Sequence, residues 1–248
     1  MAPLPPAYIP IAETQSTNTA LREALATDPD LPAGTVVYTH RQTAGRGQRG
    51  NSWEAEPGMN VTMSMLLRPD DVNAREQFTV SERVALGVAR VLNRYLPQAT
   101  PAEVKWPNDV YVGDKKICGI LIENSLSGNH IDYSIAGIGI NVNQTLFSSP
   151  APNPVSLARL TGLTFDVEKM MREVADEITT LSARDKTELH KLYLSSLWRR
   201  RGLHPYSTPD GYRFLAAIES VAPDGYLTLL TDTGTLRRFA FKEVTAIL

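Results

Sequence analysis

In the first third of the chain, apolar residues recur at two spacings in turn, one typical of strands and one typical of helices. Residues 8–13 and 35–39 are rich in β-branched and aromatic side chains, which predicts two strands. Between them, an apolar stripe at helical spacing follows the N-cap candidates at residues 16–18 and predicts a helix that ends near Asp28. Residues 61–67 alternate apolar with polar side chains, and this period predicts a strand with one buried face.

The next block of the pattern predicts one long helix followed by a turn. Asn73 and Glu76 have the spacing of a capping box, and the apolar helical face behind them ends at Pro97. Residues 105–109 predict a tight turn between strands, because Pro107 cannot donate a backbone hydrogen bond to a sheet.

The middle of the chain predicts paired strands and then two helices. Residues 116–126 and 131–143 predict strands joined by a short turn, whereas 166–182 and 185–201 predict helices. Strands joined by short turns pair antiparallel. The predicted fold class is therefore α/β (α+β), with a mixed, mostly antiparallel sheet flanked by helices rather than a Rossmann fold. The basic run 198–202 predicts the end of the second helix, with a nucleic-acid patch as the alternative.

The pattern changes again near the C-terminus. Three turn signals containing glycine separate short alternating strands after residue 202. We predict two domains, residues 1–201 and a small β-barrel of residues 202–248. A core of that size is close to the minimum that is stable alone, so we expect the barrel to pack on the larger domain.

Composition narrows the class of protein. Hydrophobic residues make up 42% of the 248 residues, which is enough for a packed core. The 25 basic and 27 acidic residues give a net charge of −2, which argues against a general nucleic-acid-binding protein. No apolar run is long enough to span a bilayer and the N-terminus is unlike a signal peptide, so we expect a cytoplasmic protein.

Cysteine and histidine usage adds two expectations. Cys118 is the single cysteine, so no internal disulfide forms, and its apolar neighbours predict a buried, unreactive thiol. The four histidines are scattered without metal-ligand spacing, so we expect no metal site built from protein ligands.

Residues 40–53 form a glycine- and arginine-rich loop that holds three glycines, three arginines and Trp53. Glycine lets the backbone approach a ligand closely, arginine matches phosphate or carboxylate oxygens, and an indole offers a flat stacking face. The spacing is not that of a P-loop. The loop alone predicts a flap that orders around an anion, with a solvated basic hairpin or an RNA-binding segment as alternatives.

Four stretches, in order along the chain, carry a resemblance to a known family: residues 13–18, 42–53, 105–109 together with 116–123, and 137–143. Together they closely resemble the biotin protein ligase family, also named biotin–[acetyl-CoA-carboxylase] ligases. The resemblance extends over residues 13–161. It implies a catalytic domain of the biotin–lipoate ligase type, which is class II aminoacyl-tRNA-synthetase-like, followed by a small C-terminal SH3-like barrel.

The resemblance implies an ATP-dependent reaction in two steps. The carboxylate of biotin attacks the α-phosphate of ATP to give biotinyl-5′-AMP and diphosphate. A lysine of a biotin carboxyl carrier domain then attacks the mixed anhydride and releases AMP. The implied partners are biotin, ATP and that carrier domain, and Mg²⁺ is held mainly by the ATP phosphates. A monomer and a homodimer both stay open.

The resemblance also assigns roles to individual residues. Lys116 and Arg46 are the implied catalytic residues, at the reacting carboxyl and phosphate oxygens. The implied biotin-binding residues are Ser16, Thr17, Asn18, Gln42, Gly45, Arg46, Gly47, Gln48 and Lys116. The implied nucleotide-binding residues are Arg46, Arg49, Trp53, Lys105, Asn108 and Asn141. Asp109 is expected to orient the incoming lysine or a cation.

Each assignment has a structural alternative. Ser16 and Thr17 are typical helix caps, and Trp106 is typical of a core. Residues 108–109 are ordinary turn residues, and the glycines within 137–143 are expected where strands pack closely.

Two features depart from the family pattern. Gln48 and Asn51 stand where basic residues are typical, which lowers the positive charge available to retain the adenylate. About a dozen residues precede the Ser-Thr-Asn stretch, too few for the helix-turn-helix domain of family members that act as repressors, so we expect no operator binding. Lipoate ligase, a nucleic-acid-binding module and a carrier-docking adaptor without chemistry are the alternatives.

Overall fold

The computed structural model describes residues 7–47, 52–148 and 153–248, and its largest element is a seven-stranded sheet. The strands are β1 (Tyr8–Ile11), β2 (Val36–Thr39), β3 (Val61–Leu67), β4 (Ala102–Lys105), β5 (Asp109–Val112), β6 (Lys115–Ser127) and β7 (His130–Ile140). Their order across the sheet is β1-β2-β3-β7-β6-β5-β4. The β1–β2 pair is parallel and the other neighbours are antiparallel, as predicted for a mixed sheet.

Helices cover both faces of this sheet. They are α1 (Thr17–Thr27), α2 (Phe78–Leu92), α3 (Leu157–Thr161), α4 (Val167–Ser182) and α5 (Lys186–Ser195). The apolar stripe of α1 packs on Val37, Leu66 and Ile135. The other face of the sheet packs on α2, α4 and α5 in a single large core. The predicted α+β class is confirmed.

Strand β3 is buried on both faces, which corrects the predicted half-buried strand. Met63 and Met65 belong to the core formed with α2 and α4, whereas Leu66 packs against α1. Ser64 is also fully buried, and its hydroxyl contacts polar side chains at the start of α1. Alternation identifies an apolar face, but it does not reveal that the polar face is covered too.

The start of α2 differs from the prediction. The helix begins at Phe78, after a 3₁₀ turn at Ala74–Glu76, and the side chain of Asn73 makes no capping hydrogen bond. Asn73 Nδ2 instead donates to Glu76 Oε2 at 3.4 Å. The capping-box prediction is wrong because a separate turn, rather than the long helix, follows Asn73.

Helix α5 is shorter than predicted. It ends at Ser195, so the basic run 198–202 is not a helix end. The N–H of Trp198 donates to the carbonyl oxygen of Val104 at 2.9 Å, and Arg199 has a positive φ of 54°. The run therefore joins α5 to the edge of β4. The sequence does not predict α3, since five residues span little more than one helical turn.

A second, antiparallel sheet is built from the C-terminal part of the chain. Its strands are β8 (His204–Ser207), β9 (Arg213–Val221), β10 (Leu227–Thr231), β11 (Leu236–Phe239) and β12 (Thr245–Ala246), in the order β11-β10-β9-β8-β12. Trp106 connects the two sheets, because its Nε1 donates to Gly225 O at 3.0 Å and its ring meets Phe241 edge-on. The strands predicted here are confirmed, whereas the division into domains 1–201 and 202–248 stays a prediction.

Cys118 lies in β6 and is fully buried, as predicted. Burial raises the pKa of its thiol far above the usual value, so the thiol is unreactive at neutral pH. No helix in the described part of the chain is long and apolar enough to cross a membrane. Within the described ranges, no group of three or more His, Cys, Asp or Glu side chains could hold a metal ion.

Arg83 of α2 is a buried cation whose side chain is 2% exposed. Its guanidinium donates two hydrogen bonds to Asp71, at 3.0 and 2.5 Å. Burial raises the pKa of Asp71, but the hydrogen bonds and positive charge of Arg83 outweigh burial, so the pKa lies below its usual 3.8. The pair ties the segment before α2 to the helix, because a buried charge without its partner is strongly destabilising.

We predict that Asp71→Asn lowers the free energy of unfolding by about 3 kcal/mol at pH 7, because it leaves Arg83 without a counter-charge. A depressed pKa in the folded state means that the stabilisation is complete above 3.8 and is lost as pH falls through the folded-state value. Urea unfolding at several pH values measures both effects. Asp70→Asn, an exposed neighbour, should change stability by less than about 0.5 kcal/mol. Equal stability of the two variants would contradict the prediction.

Candidate active site

A cavity of about 270 Å³ lies where α1, the central strands of the first sheet and the second sheet meet. Among the described residues that line it, the charged side chains are Arg46, Lys105, Asp109, Lys116 and Lys242. Four cations therefore face one carboxylate. The second sheet and its approach add an apolar wall that includes Trp198, Ile218, Leu227 and Phe241. The cavity is suited to a ligand with an apolar body and several negative charges.

The structure brings most of the predicted site residues together. The predicted residues that line the cavity are Ser16, Thr17, Asn18, Gln42, Arg46, Gly47, Trp53, Lys105, Asn108, Asp109 and Lys116. Gln48, Arg49 and Asn51 lie outside the described residues, so the departures noted for this loop concern residues without a described position.

Two glycines of β7 form the floor of the cavity. A Cβ atom on Gly139 would lie 2.3 Å from Trp53 Cε2, and one on Gly137 would lie 2.3 Å from Asn18 Oδ1. Glycine is therefore required because side chains rest directly on the backbone of the sheet. This corrects the alternative in which these glycines serve strand packing only. Trp53 Nε1 is buried without an acceptor among the described residues.

A chain of polar side chains lies at the N-terminus of α1. Gln42 Oε1 accepts from Thr17 N at 2.9 Å and lies 3.4 Å from Thr17 Oγ1. Ser64 Oγ lies 2.7 Å from Thr17 Oγ1 and 2.6 Å from Asn18 Oδ1. Ser16 occupies the N-cap position, but its side chain makes no capping hydrogen bond and borders the cavity instead. The α1 start is therefore a polar wall of the site as well as a helix end.

The turn between β4 and β5, together with Lys116 of β6, supplies the charged wall of the cavity. Lys116 Nζ forms an ion pair with Asp109 Oδ1 at 2.8 Å. Lys105 Nζ donates to the hydroxyl of Tyr111 at 3.1 Å. Burial lowers the pKa of Lys105; Asp109 opposes this shift and Lys116 adds to it. Asn108 is buried and its Nδ2 donates to the carbonyl oxygen of Ile120, which fixes the turn against β6.

The loop base, residues 45–47 and 52–53 at the two described ends of the arginine-glycine loop, is held together by contacts between these two segments. The carbonyl oxygen of Gly45 accepts from Trp53 N at 2.9 Å, and Arg46 pairs with Ser52 in an antiparallel bridge. Gly45 does not line the cavity, but a Cβ there would lie 2.5 Å from the Trp53 carbonyl oxygen. The guanidinium of Arg46 donates to Thr19 Oγ1 at 2.8 Å.

Asn141 is not placed as predicted. It is absent from the described lining, and its Nδ2 donates to the carbonyl oxygen of Val155 at 3.1 Å. The residue therefore holds the end of β7 to the segment before α3. In the sequence, an asparagine at the end of a glycine-rich strand can either hold the strand end or contact a ligand, and the pattern does not distinguish these two roles.

Sequence reasoning missed the contribution of the second sheet to the site. Lys242, Phe241 and Trp198 line the cavity, although no pattern in residues 198–248 marks them as site residues. Lys242 has a backbone φ of 71°, in the left-handed region that favours glycine. A lysine retained in that conformation is a signal for function, but it is visible only in the structure.

The family model described as the biotin/lipoate A/B protein ligase family matches residues 11–141, more than half of the chain, and the chain belongs to this family. Within the family it is similar to proteins named as biotin ligases. It is 34% identical to the biotin–[acetyl-CoA-carboxylase] ligase of Paracoccus denitrificans over 165 residues, which cover 65% of this chain and 67% of that protein.

Two further relatives define how far the similarity extends. The chain is 38% identical to the bifunctional ligase/repressor BirA of Bacillus subtilis over 118 residues, 46% of this chain, and spans about a third (34%) of that relative's length. The biotin protein ligase of Aquifex aeolicus, solved in complex with biotin and ATP, superimposes with a TM-score of 0.76 at 25% identity. That match covers 97% of this chain and 98% of the other, so the similar fold includes the second sheet.

We predict that Lys242→Gly raises the free energy of unfolding by about 1 kcal/mol, because glycine removes the cost of a side chain in the left-handed region. Arg199→Gly is the matched control, since Arg199 also has a positive φ. Arg199 donates to Ile247 O at 2.7 Å and to Asp114 Oδ1 at 3.2 Å, so its replacement should not stabilise the protein. Urea unfolding measures both, and a destabilised Lys242→Gly variant would disprove the idea of a strained lysine.

Proposed function

We propose that this chain is an ATP-dependent ligase that activates biotin as biotinyl-5′-AMP and transfers it to a lysine of a biotin carboxyl carrier domain. The observation that carries the proposal is the Lys116–Asp109 pair at 2.8 Å inside a cavity with a surplus of cations. Lys116 lines the same cavity as the polar wall at α1 and the cations that suit phosphates. Membership of the family and the names of the relatives support the same reaction.

Electrostatics is the main contribution expected from this site. Two anions, the biotin carboxylate and the ATP phosphates, repel each other unless cations lie around both. Lys116 would contact the reacting oxygens as a charged donor. Burial lowers the pKa of Lys105, so its protein surroundings disfavour its charge, and an anion beside it would favour that charge.

Arg46 would join these lysines when a ligand is present. Its guanidinium donates to the neutral hydroxyl of Thr19. A guanidinium binds carboxylate or phosphate oxygens more strongly than a hydroxyl, because both partners are then charged. Exchange of Thr19 for the ligand would bring the guanidinium of Arg46 onto the reacting oxygens.

Trp53 would shield the activated acyl group from water. Its indole lies flat on Gly139 at the floor of the cavity, and its Nε1 has no acceptor among the described residues. A bound ligand can supply that acceptor, which supports a direct contact with the substrate. Exclusion of water matters because a mixed anhydride is hydrolysed readily.

Asp109 is the residue proposed to meet the incoming lysine amine. It is the single carboxylate among the described lining residues and is already paired with Lys116. One paired carboxylate is a poor ligand set for Mg²⁺, so the metal would be held by phosphate oxygens and water.

The polar wall favours biotin over lipoate, the other substrate class in the family's description. Thr17, Gln42 and Ser16 offer hydrogen bonds that a urea-type head group can use, whereas a dithiolane ring offers none in return. We propose no repressor activity, because 25 basic against 27 acidic residues leave no positive surplus for DNA. Use of ATP and of a carboxylase carrier domain fits a cytoplasmic protein.

We predict that Lys116→Ala reduces diphosphate release from ATP and biotin by about 10²–10³-fold, because it removes a charged donor from the reacting oxygens. Diphosphate release is measured with biotin and, separately, with lipoate. Lys115→Ala is the matched control, since Lys115 is exposed, adjacent in sequence and absent from the described lining.

The control should release diphosphate at the parent rate, and both variants should unfold at the parent urea concentration. A Lys116→Ala variant with parental diphosphate release would show that its assigned role is wrong. Release that depends on lipoate and not on biotin would reject biotin as the substrate.

A further inference from the structure

We infer that Glu123 is a positioning residue that sets the direction of the hydrogen bonds from Asn18 through Ser64 to Thr17 in the polar wall. The wall is the chain of Asn18, Ser64, Thr17 and Gln42, and Glu123 lies at its outer end, on β6. Through this chain Glu123 determines which atoms the cavity offers to the head group of the substrate. The inference rests on the proposed function, because the head group is taken to be a cyclic urea.

The first link of the chain has a single possible direction. Glu123 Oε2 accepts from Asn18 Nδ2 at 2.7 Å and from the guanidinium of Arg22 at 2.8 Å. An ionised carboxylate can only accept hydrogen bonds. Asn18 must therefore turn its NH₂ group toward Glu123, and the carbonyl oxygen of Leu121 accepts from the same group at 3.4 Å. The amide oxygen of Asn18 is thereby turned toward Ser64.

The next link follows from counting protons. Ser64 Oγ lies 2.6 Å from Asn18 Oδ1, an amide oxygen that can only accept, so the single hydroxyl proton of Ser64 points to Asn18. Ser64 Oγ then has a lone pair left for Thr17 Oγ1, at 2.7 Å. The hydroxyl proton of Thr17 is directed to Ser64, and Thr17 keeps a lone pair for the ligand.

Gln42 completes the polarity. Its Oε1 accepts from the backbone N–H of Thr17 at 2.9 Å, which leaves its NH₂ group as a donor. Thr17 and Gln42 both line the cavity. The wall therefore presents an acceptor beside a donor, which is the complement of an N–H beside a C=O in a urea.

Burial makes this order costly to reverse. Ser64 is fully buried, and Thr17 and Asn18 are each 3% exposed, so water cannot repair an unmatched donor or acceptor. Asn18 also has little freedom to move, because its Oδ1 rests on Gly137. The hydroxyls of Ser64 and Thr17 have no preferred direction of their own. The charge on Glu123 supplies one.

The test is Glu123→Gln, which keeps the shape but can either donate or accept. We expect the KM for biotin to rise about tenfold, equivalent to one lost buried hydrogen bond, while the KM for ATP stays within about twofold. Arg22→Gln is the control. It removes the exposed ion pair but keeps the carboxylate, so both KM values should stay within about twofold of the parent.

A second substrate separates an effect on hydrogen-bond direction from a general loss of structure. The second substrate is a biotin analogue in which a methyl group replaces the hydrogen on the ureido nitrogen that faces Thr17. That nitrogen can no longer donate a hydrogen bond to Thr17. The parent should discriminate strongly against the analogue, and Glu123→Gln should discriminate several-fold less, because its wall no longer has one fixed direction. Any steric effect of the methyl group is common to parent and variant and cancels in this comparison.

Three results would overturn the inference. Parental biotin KM and parental discrimination in Glu123→Gln would show that Glu123 has no such role. An equal rise of the KM values for biotin and ATP would show a general structural loss. A parent that releases no diphosphate with biotin and ATP would refute the proposed function itself, whereas an active parent confines the failure to Glu123.

Discussion

The rest of the site depends on the close approach of Trp53 and Asn18 to the bare backbone of β7. Because Gly137 and Gly139 carry no side chain, the loop base and the start of α1 rest on one face of the sheet, next to Lys116 of β6. A single methyl group at either glycine would lie within 2.3 Å of these side chains and push them away. Two chain segments far apart in sequence thus meet because the strand between them is bare.

The described lining of the cavity is electrostatically unbalanced. The pKa of the partly buried Lys105 is lowered, Lys242 occupies a left-handed backbone conformation, and one carboxylate faces four cations among the described lining residues. Each feature costs stability, and favourable contacts with bound anions would offset that cost. A site of this kind is tuned for its bound state, which is the usual reason that functional residues break the rules that govern a core.

Local signals in the sequence were enough for most of the strands, the α1 helix and the Lys105–Asp109 turn, whereas the grouping of Ser16, Thr17, Gln42, Trp53 and Lys116 came from the resemblance to a known family. The predictions were wrong where a sequence pattern is short, or where the local structure depends on packing against residues far away in the sequence. Alternation in β3 could not report that α1 buries Ser64, and no local signal places Lys242 beside Lys116. The role of Asn141 was also open, because its partner Val155 belongs to a segment without predicted structure.

Recognition of a neutral head group poses a different physical problem from recognition of an anion. Cations attract any carboxylate or phosphate, but they cannot distinguish one neutral ring from another. A buried hydroxyl chain can do so only if its protons have one order, and hydroxyls alone allow both. A charged end fixes the order, yet a charge placed inside would pay a large desolvation cost. Glu123, one-third exposed and paired with Arg22, supplies the charge at the rim and leaves the interior chain neutral.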